Sequence, residues 1–167
     1  MPVYKAPVDD VLFLLNDVFH IERFANLPGF AEASRDVVEA IVAEAAKFCE
    51  EVLAPLNASG DLQGCRRGED GTVTTPSGFR DAYRRYVAGG WIGISVPQEL
   101  GGLGLPGALT QTVNEFLASA NMAFTMYAGL TQGAIAAIYG EGLVYLTMLG
   151  KRFQRLFRRG VNRERSS

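Results

Sequence analysis

Gly89-Gly90-Trp91-Ile92-Gly93-Ile94-Ser95-Val96-Pro97-Gln98-Glu99-Leu100-Gly101-Gly102-Leu103-Gly104-Leu105-Pro106 is the stretch that divides this chain of 167 residues into two sets of helices. Its glycines and two prolines are interleaved with apolar residues from Trp91 to Leu105. Glycine and proline both penalise a helix interior, so no single regular helix runs through it. The expected result is a buried, turn-rich connector.

Upstream, Asp9 or Asp10 is expected to cap a short helix in which Val11, Leu12, Leu15 and Val18 or Phe19 recur at helical spacing. Ser34 is expected to cap a long helix whose stripe is Val37, Val38, Ile41, Val42, Ala45, Phe48, Cys49 and Val52. Ala54-Pro55 should end it, because the residue before proline is pushed out of the helical region. Asn57 to Thr75 then reads as a surface loop with a brief extended piece around Val73. Thr75-Pro76 opens the next helix, buries Phe79, Tyr83, Tyr86 and Val87, and stops at Gly89-Gly90 as left-handed caps.

Downstream, Pro106 opens a helix with Leu109, Val113, Phe116 and Leu117 inward, ending near Ser119-Ala120-Asn121. Another helix passes through Tyr127 and Ile138, and its small residues between Ala128 and Ala137 let a backbone or a ligand come close. No strand ladder is visible, so the expected fold is all-α, a bundle of five or six helices with one irregular glycine-rich junction.

Length allows one domain with a real core, and 48% hydrophobic against 20% charged residues is a globular balance. Charge is uneven. Seven of the sixteen basic residues, Lys151, Arg152, Arg155, Arg158, Arg159, Arg163 and Arg165, fall in the tail. Residues 139–167 therefore carry a formal +5 and the body −7. Cys49 and Cys65 have no metal-ligand or CxxC spacing, and no leading apolar segment is present, so a reduced, cytoplasmic setting is expected. In that setting the Asn57-Ala58-Ser59 acceptor pattern carries no meaning.

Several chemistries are excluded by pattern. Gly102-Leu103-Gly104-Leu105-Pro106-Gly107 spells GxGxxG, but Val96-Pro97-Gln98-Glu99 precedes it instead of a strand, and no βαβ unit follows. Gly93-Ile94-Ser95-Val96-Pro97 lacks the last glycine of a nucleophile elbow, and the single histidine, His20, lies far from it in sequence. No His, Cys, Asp and Glu cluster suggests a metal. Tyr83, Tyr86, Trp91, Phe116, Phe124 and Tyr127 are core residues by spacing before they are a ligand wall.

The GGW-x-G-x-S-x-P segment running into E-x-GG-x-G resembles the helix-to-helix junction in the amino-terminal domain of the acyl-CoA dehydrogenases. The likeness extends through Met1 to Pro7, Phe13 to Val18, Ala46 to Asn57 and Ala118 to Met122, and covers Met1 to Ile138. It points to a bacterial subgroup with an added amino-terminal segment, which includes methylthiopropionyl-CoA dehydrogenase-like enzymes. On this resemblance residues 1–33 are the extension, 34–138 the helical domain, and 139–167 a divergent basic tail.

The resemblance implies FAD as cofactor and acyl-CoA as substrate, a glutamate taking the α proton while FAD accepts the β hydride. It places Thr125, Met126, Gly129, Leu130 and Gly133 beside the acyl chain, the two glycines leaving space. It assigns no catalytic base and no principal flavin ligand here, since the Thr-Glu-Pro and Gly-Ser/Thr-Asp segments of the flavin-binding domain are absent. The chain is thus expected to be a truncated or frame-shifted product, inactive alone and prone to self-association through exposed apolar surface. The alternative is a helical interaction module. Its tail sets Leu146, Leu149, Phe153, Leu156 and Phe157 near one helical face against basic residues, suited to an anionic membrane or a partner protein. An acidic body with no reading module excludes nucleic acid.

Overall fold

Among the described residues five α-helices account for most of the backbone, in the order α1 (Val8–Leu12), α2 (Arg35–Phe48), α3 (Ala54–Gln63), α4 (Phe79–Ala88) and α5 (Gly107–Glu164). The computed structural model describes residues 3–164, and the side chains of residues 3–139. It forms two compact units, one ending at Tyr127 and one beginning at Ala128. The all-α expectation holds, with one small exception among the described residues. Strands β1 (Arg66–Arg67) and β2 (Val73–Thr74) pair antiparallel, Arg66 opposite Thr74 and Arg67 opposite Val73.

In the first unit, α2 buries Val38, Val42, Ala45 and Ala46, and the stripe continues through Cys49 and Leu53 in the π-turn Cys49–Leu53. Spacings of three and four residues keep these on one face. Val37, expected in the stripe, lies at its edge and is exposed. Ser34 is the N-cap residue, but its side chain makes no capping bond; Glu22 Oε1 accepts from the Arg35 N–H at 3.1 Å instead. The first turn is thus capped from a distant segment, which local sequence does not reveal.

Ala54-Pro55 does not end the helix. The Ala54 N–H donates to the Cys49 carbonyl, a π-type bond that widens the turn, and α3 follows with proline in its first turn, where the missing N–H costs nothing. The expected loop from Asn57 is therefore helical as far as Gln63, and the hairpin occupies its second half. Asp70 Oδ1 closes the hairpin turn by accepting from the Thr72 N–H and Oγ1–H. Three further boundaries move. α1 is capped at Pro7, not at Asp9 or Asp10; α4 starts at Phe79 after left-handed Gly78; and of Gly89-Gly90 only Gly90 is left-handed, with φ 74°. On α4, Val87 is exposed, while Phe79, Ala82 and Tyr86 are buried.

The junction is an irregular, self-bonded loop. Leu103 N–H donates to Gly93 O at 2.9 Å, Gly104 N–H to Val96 O at 2.8 Å, and Leu105 N–H to Ile94 O at 2.9 Å. A Cβ on Gly102 would stand 2.0 Å from the Val96 carbonyl oxygen, so only glycine fits there. α5 then buries Leu109, Val113, Phe116 and Leu117, as the spacing predicts. The amino-terminal segment lies against this body: Lys5 pairs with Glu50, the Ala6 N–H donates to Glu50 Oε1 at 3.0 Å, and the Tyr4 hydroxyl donates to Phe116 O at 3.3 Å.

Candidate functional site

α5 is broken where the sequence says it should be. Asn121 has φ −158° and ψ 91°, an extended residue between two helical stretches. Its Oδ1 accepts from the Phe124 N–H at 3.0 Å, the bond of an N-cap to the third residue of the following helix. Its Nδ2 donates to the Leu53 carbonyl at 3.2 Å, and the side chain is fully buried. One amide therefore starts a helix and ties that start to the π-turn after α2.

Phe124, one turn on, is the centre of an aromatic cluster. Its ring lies 5.8 Å from Tyr86, 6.2 Å from Tyr127, 6.3 Å from Phe79, 6.4 Å from Phe48 and 6.5 Å from Tyr83. Edge and tilted contacts at these distances are favourable beyond the area they bury. Tyr86, Phe116 and Phe124 are thus core, as their spacing implies. Burial pushes the Tyr86 hydroxyl up to about 12, and burial followed by Glu50 pushes the Cys49 thiol up to about 12. Both stay neutral near pH 7 and offer no base.

The expected acyl-contact residues fall at and after this point. In the first unit Thr125 is half-buried, its Oγ1 donating to Met122 O at 2.6 Å, while Met122 and Met126 are 62% and 61% exposed. In the second unit Leu130 is 74% exposed, and a Cβ on Gly129 or Gly133 would meet no heavy atom within 4 Å. From Phe116 to Ile138 the sequence holds no Asp, Glu, His, Lys or Arg, so this stretch can line a hydrocarbon chain but cannot move its α proton. The tail residues Leu146, Leu149, Phe153, Leu156 and Phe157 lie outside the residues whose side chains are described. Among the described residues no helix is long and apolar enough to cross a membrane, and no metal-binding cluster occurs.

The glycine loop does not fit a flavin pyrophosphate. From Leu100 to Leu105 every N–H is donated to a carbonyl of the same loop, leaving none to cradle phosphate. A 3₁₀ turn at Gln98–Leu100, not a strand, leads into it.

The sequence reading missed a concave surface. A cleft of about 810 Å³ opens between β2 with its following residues and α4, with Arg80, Tyr83 and Arg84 on one wall and Tyr127 at its edge. The signal was available in the spacing of Arg80, Tyr83 and Arg84, which puts all three on one helical face.

Residues 36–142 match the family described as acyl-CoA dehydrogenase, N-terminal domain. The chain is 37% identical over 135 residues to 3-methylmercaptopropionyl-CoA dehydrogenase of Ruegeria pomeroyi, covering 81% of this chain and 23% of that protein. Over 130 residues it is 25% identical to the broad-specificity linear acyl-CoA dehydrogenase FadE5 of Mycobacterium tuberculosis, covering 77% and 21% respectively. The chain spans less than a quarter of the length of either relative.

Proposed function

Because this chain belongs to the acyl-CoA dehydrogenase family, we propose that its helices form one wall of an acyl-chain cavity serving the α,β-dehydrogenation of acyl-CoA thioesters. Residues 34–138 are the amino-terminal helical domain in this reading, 1–33 an extension and 139–167 a divergent tail. Thr125, Met126, Gly129, Leu130 and Gly133 face the acyl chain. The substrate class is an unbranched acyl-CoA, since one relative is named for 3-methylmercaptopropionyl-CoA and the other for linear acyl-CoAs.

The single observation that carries the reading is the apolar start of the helix after Asn121, which exposes Met122 and Met126 in the first unit, in a sequence with no charged residue as far as Ile138. Such a surface suits a hydrocarbon and gains about 25 cal/mol for each Å² it buries. FAD, which the family implies, would supply hydride acceptance; the glycine loop, whose amides are bonded within it, does not hold its pyrophosphate. We read the chain by itself as inactive and as self-associating through the same exposed side chains.

Photolabelling tests the wall. An acyl-CoA carrying a diazirine at the end of its chain should place adducts between Thr125 and Gly133, mapped by mass spectrometry. Adducts confined to other helices would refute the assignment. Adding FAD, acyl-CoA and a redox dye to the purified chain should give no dye reduction; turnover would overturn the inactivity.

A further inference from the structure

The geometry points to a second ligand site, for a nucleoside phosphate, in the cleft beside α4. Its volume, about 810 Å³, lies within the range of small-molecule sites and suits a nucleotide. Arg80, Tyr83 and Arg84 stand at i, i+3 and i+4 on α4 and line one wall, and Tyr127 borders it from α5. Arginine guanidinium groups match phosphate geometry, and tyrosine rings offer faces on which a planar base stacks. The lining also includes Thr74, Thr75 and Ser77, residue types whose hydroxyls suit a ribose.

Charge supports the same ligand. The body of the protein is acidic, yet five of the nine basic residues before Tyr127 fall between Arg66 and Arg85. An anion approaching this unit is drawn to that region. Arg84 shares its charge with Asp81 at 3.2 Å, while Arg80 makes no ion pair among the described residues. Two guanidinium groups one turn apart with a single carboxylate between them leave a net positive wall, which a phosphate ester neutralises. The site lies wholly in the first unit and does not depend on the acyl-wall assignment.

Calorimetric titration of the full chain with ADP, adenosine and inorganic phosphate tests the site. ADP should bind saturably and more tightly than either fragment, since the cleft offers both a stacking surface and a phosphate anchor. Arg80→Gln and Arg84→Gln should each weaken ADP by roughly tenfold. Arg85→Gln removes an equal charge from an exposed position outside the cleft and should leave ADP binding unchanged. Circular dichroism of all three variants should match the parent, because these arginines are exposed. An equal loss in all three, ADP binding no tighter than phosphate, or no saturable signal at millimolar ADP would overturn the proposal. Coenzyme A carries an ADP unit with an added 3′-phosphate and competes at any ADP site, so relative affinity distinguishes the source. Coenzyme A binding more tightly than ADP identifies the coenzyme's nucleotide end as the ligand, and weaker binding identifies a free nucleotide.

Discussion

Replacing Asn121 by alanine removes two buried bonds, and their cost can be worked from the geometry. Loss of an N-cap acceptor destabilises by about 1 kcal/mol. The Phe124 N–H loses its 3.0 Å partner. The Leu53 carbonyl loses a 3.2 Å donor in a site where both residues are at most 1% exposed, and an orphaned buried acceptor costs about 1–3 kcal/mol. Together the loss is about 2–4 kcal/mol. With a mid-range urea slope of about 2 kcal/mol per molar, the midpoint should fall by roughly 1–2 M.

Asn121→Ser separates the two contributions, because a serine hydroxyl is an N-cap acceptor for the Phe124 N–H but is too short to donate to Leu53. It should retain the cap and lose the larger share. Met122→Ala, next in sequence but 62% exposed, should stay within about 0.5 kcal/mol of the parent. Urea melts followed by far-UV circular dichroism give the stabilities, and hydrogen exchange at the Phe124 amide reports the cap directly. An Asn121→Ala variant within about 0.5 kcal/mol of the parent, with unchanged exchange at Phe124, would refute the reasoning.

The remaining expectations are simpler. Cys65, exposed, should react with iodoacetamide in the native protein at pH 8, while Cys49, fully buried and raised to about 12, should react only on unfolding; peptide mapping decides. Gly102→Ala should destabilise by about 2 kcal/mol or more, because the new methyl meets the Val96 carbonyl, whereas Gly107→Ala, with nothing within 4 Å, should be neutral or slightly stabilising in a thermal melt. The Lys5 hydrogen bond, then the Ala6 amide, hold the Glu50 carboxyl below its ordinary value. A depressed carboxylate stabilises above its unfolded pKa, about 4.3, and that stability is lost as pH falls through the lower folded value. Glu50→Gln should therefore flatten the acid limb of the stability profile below pH 5, and an unchanged limb would remove Glu50 from the account.

Much of the fold was legible because the deciding residues are close in sequence. Pro106 and the recurrence of Leu109, Val113, Phe116 and Leu117 gave the helix and its inward face, and Asn121 marked the break. What failed was set by distant partners or by compensation. Proline at position 55 reads as a stop, yet the π-turn Cys49–Leu53 just before it absorbs it. The true cap of α2 comes from Glu22, thirteen residues before Arg35. The hairpin could have been read from Gly68-Glu69-Asp70-Gly71, whose Asp70 bonds are local. The cleft joins Tyr83 to Tyr127, and only the folded chain brings those two together.

The junction loop owes its shape to main-chain atoms. Gly93, Ile94 and Val96 receive the N–H groups of Leu103, Leu105 and Gly104, while Ser95, Glu99 and Leu100 point outward into water. Letters at those three outward places are therefore cheap to change, but the number of residues is not. One inserted or deleted residue between Ile94 and Leu103 would put all three pairings out of step together, so this segment is constrained in count more than in spelling.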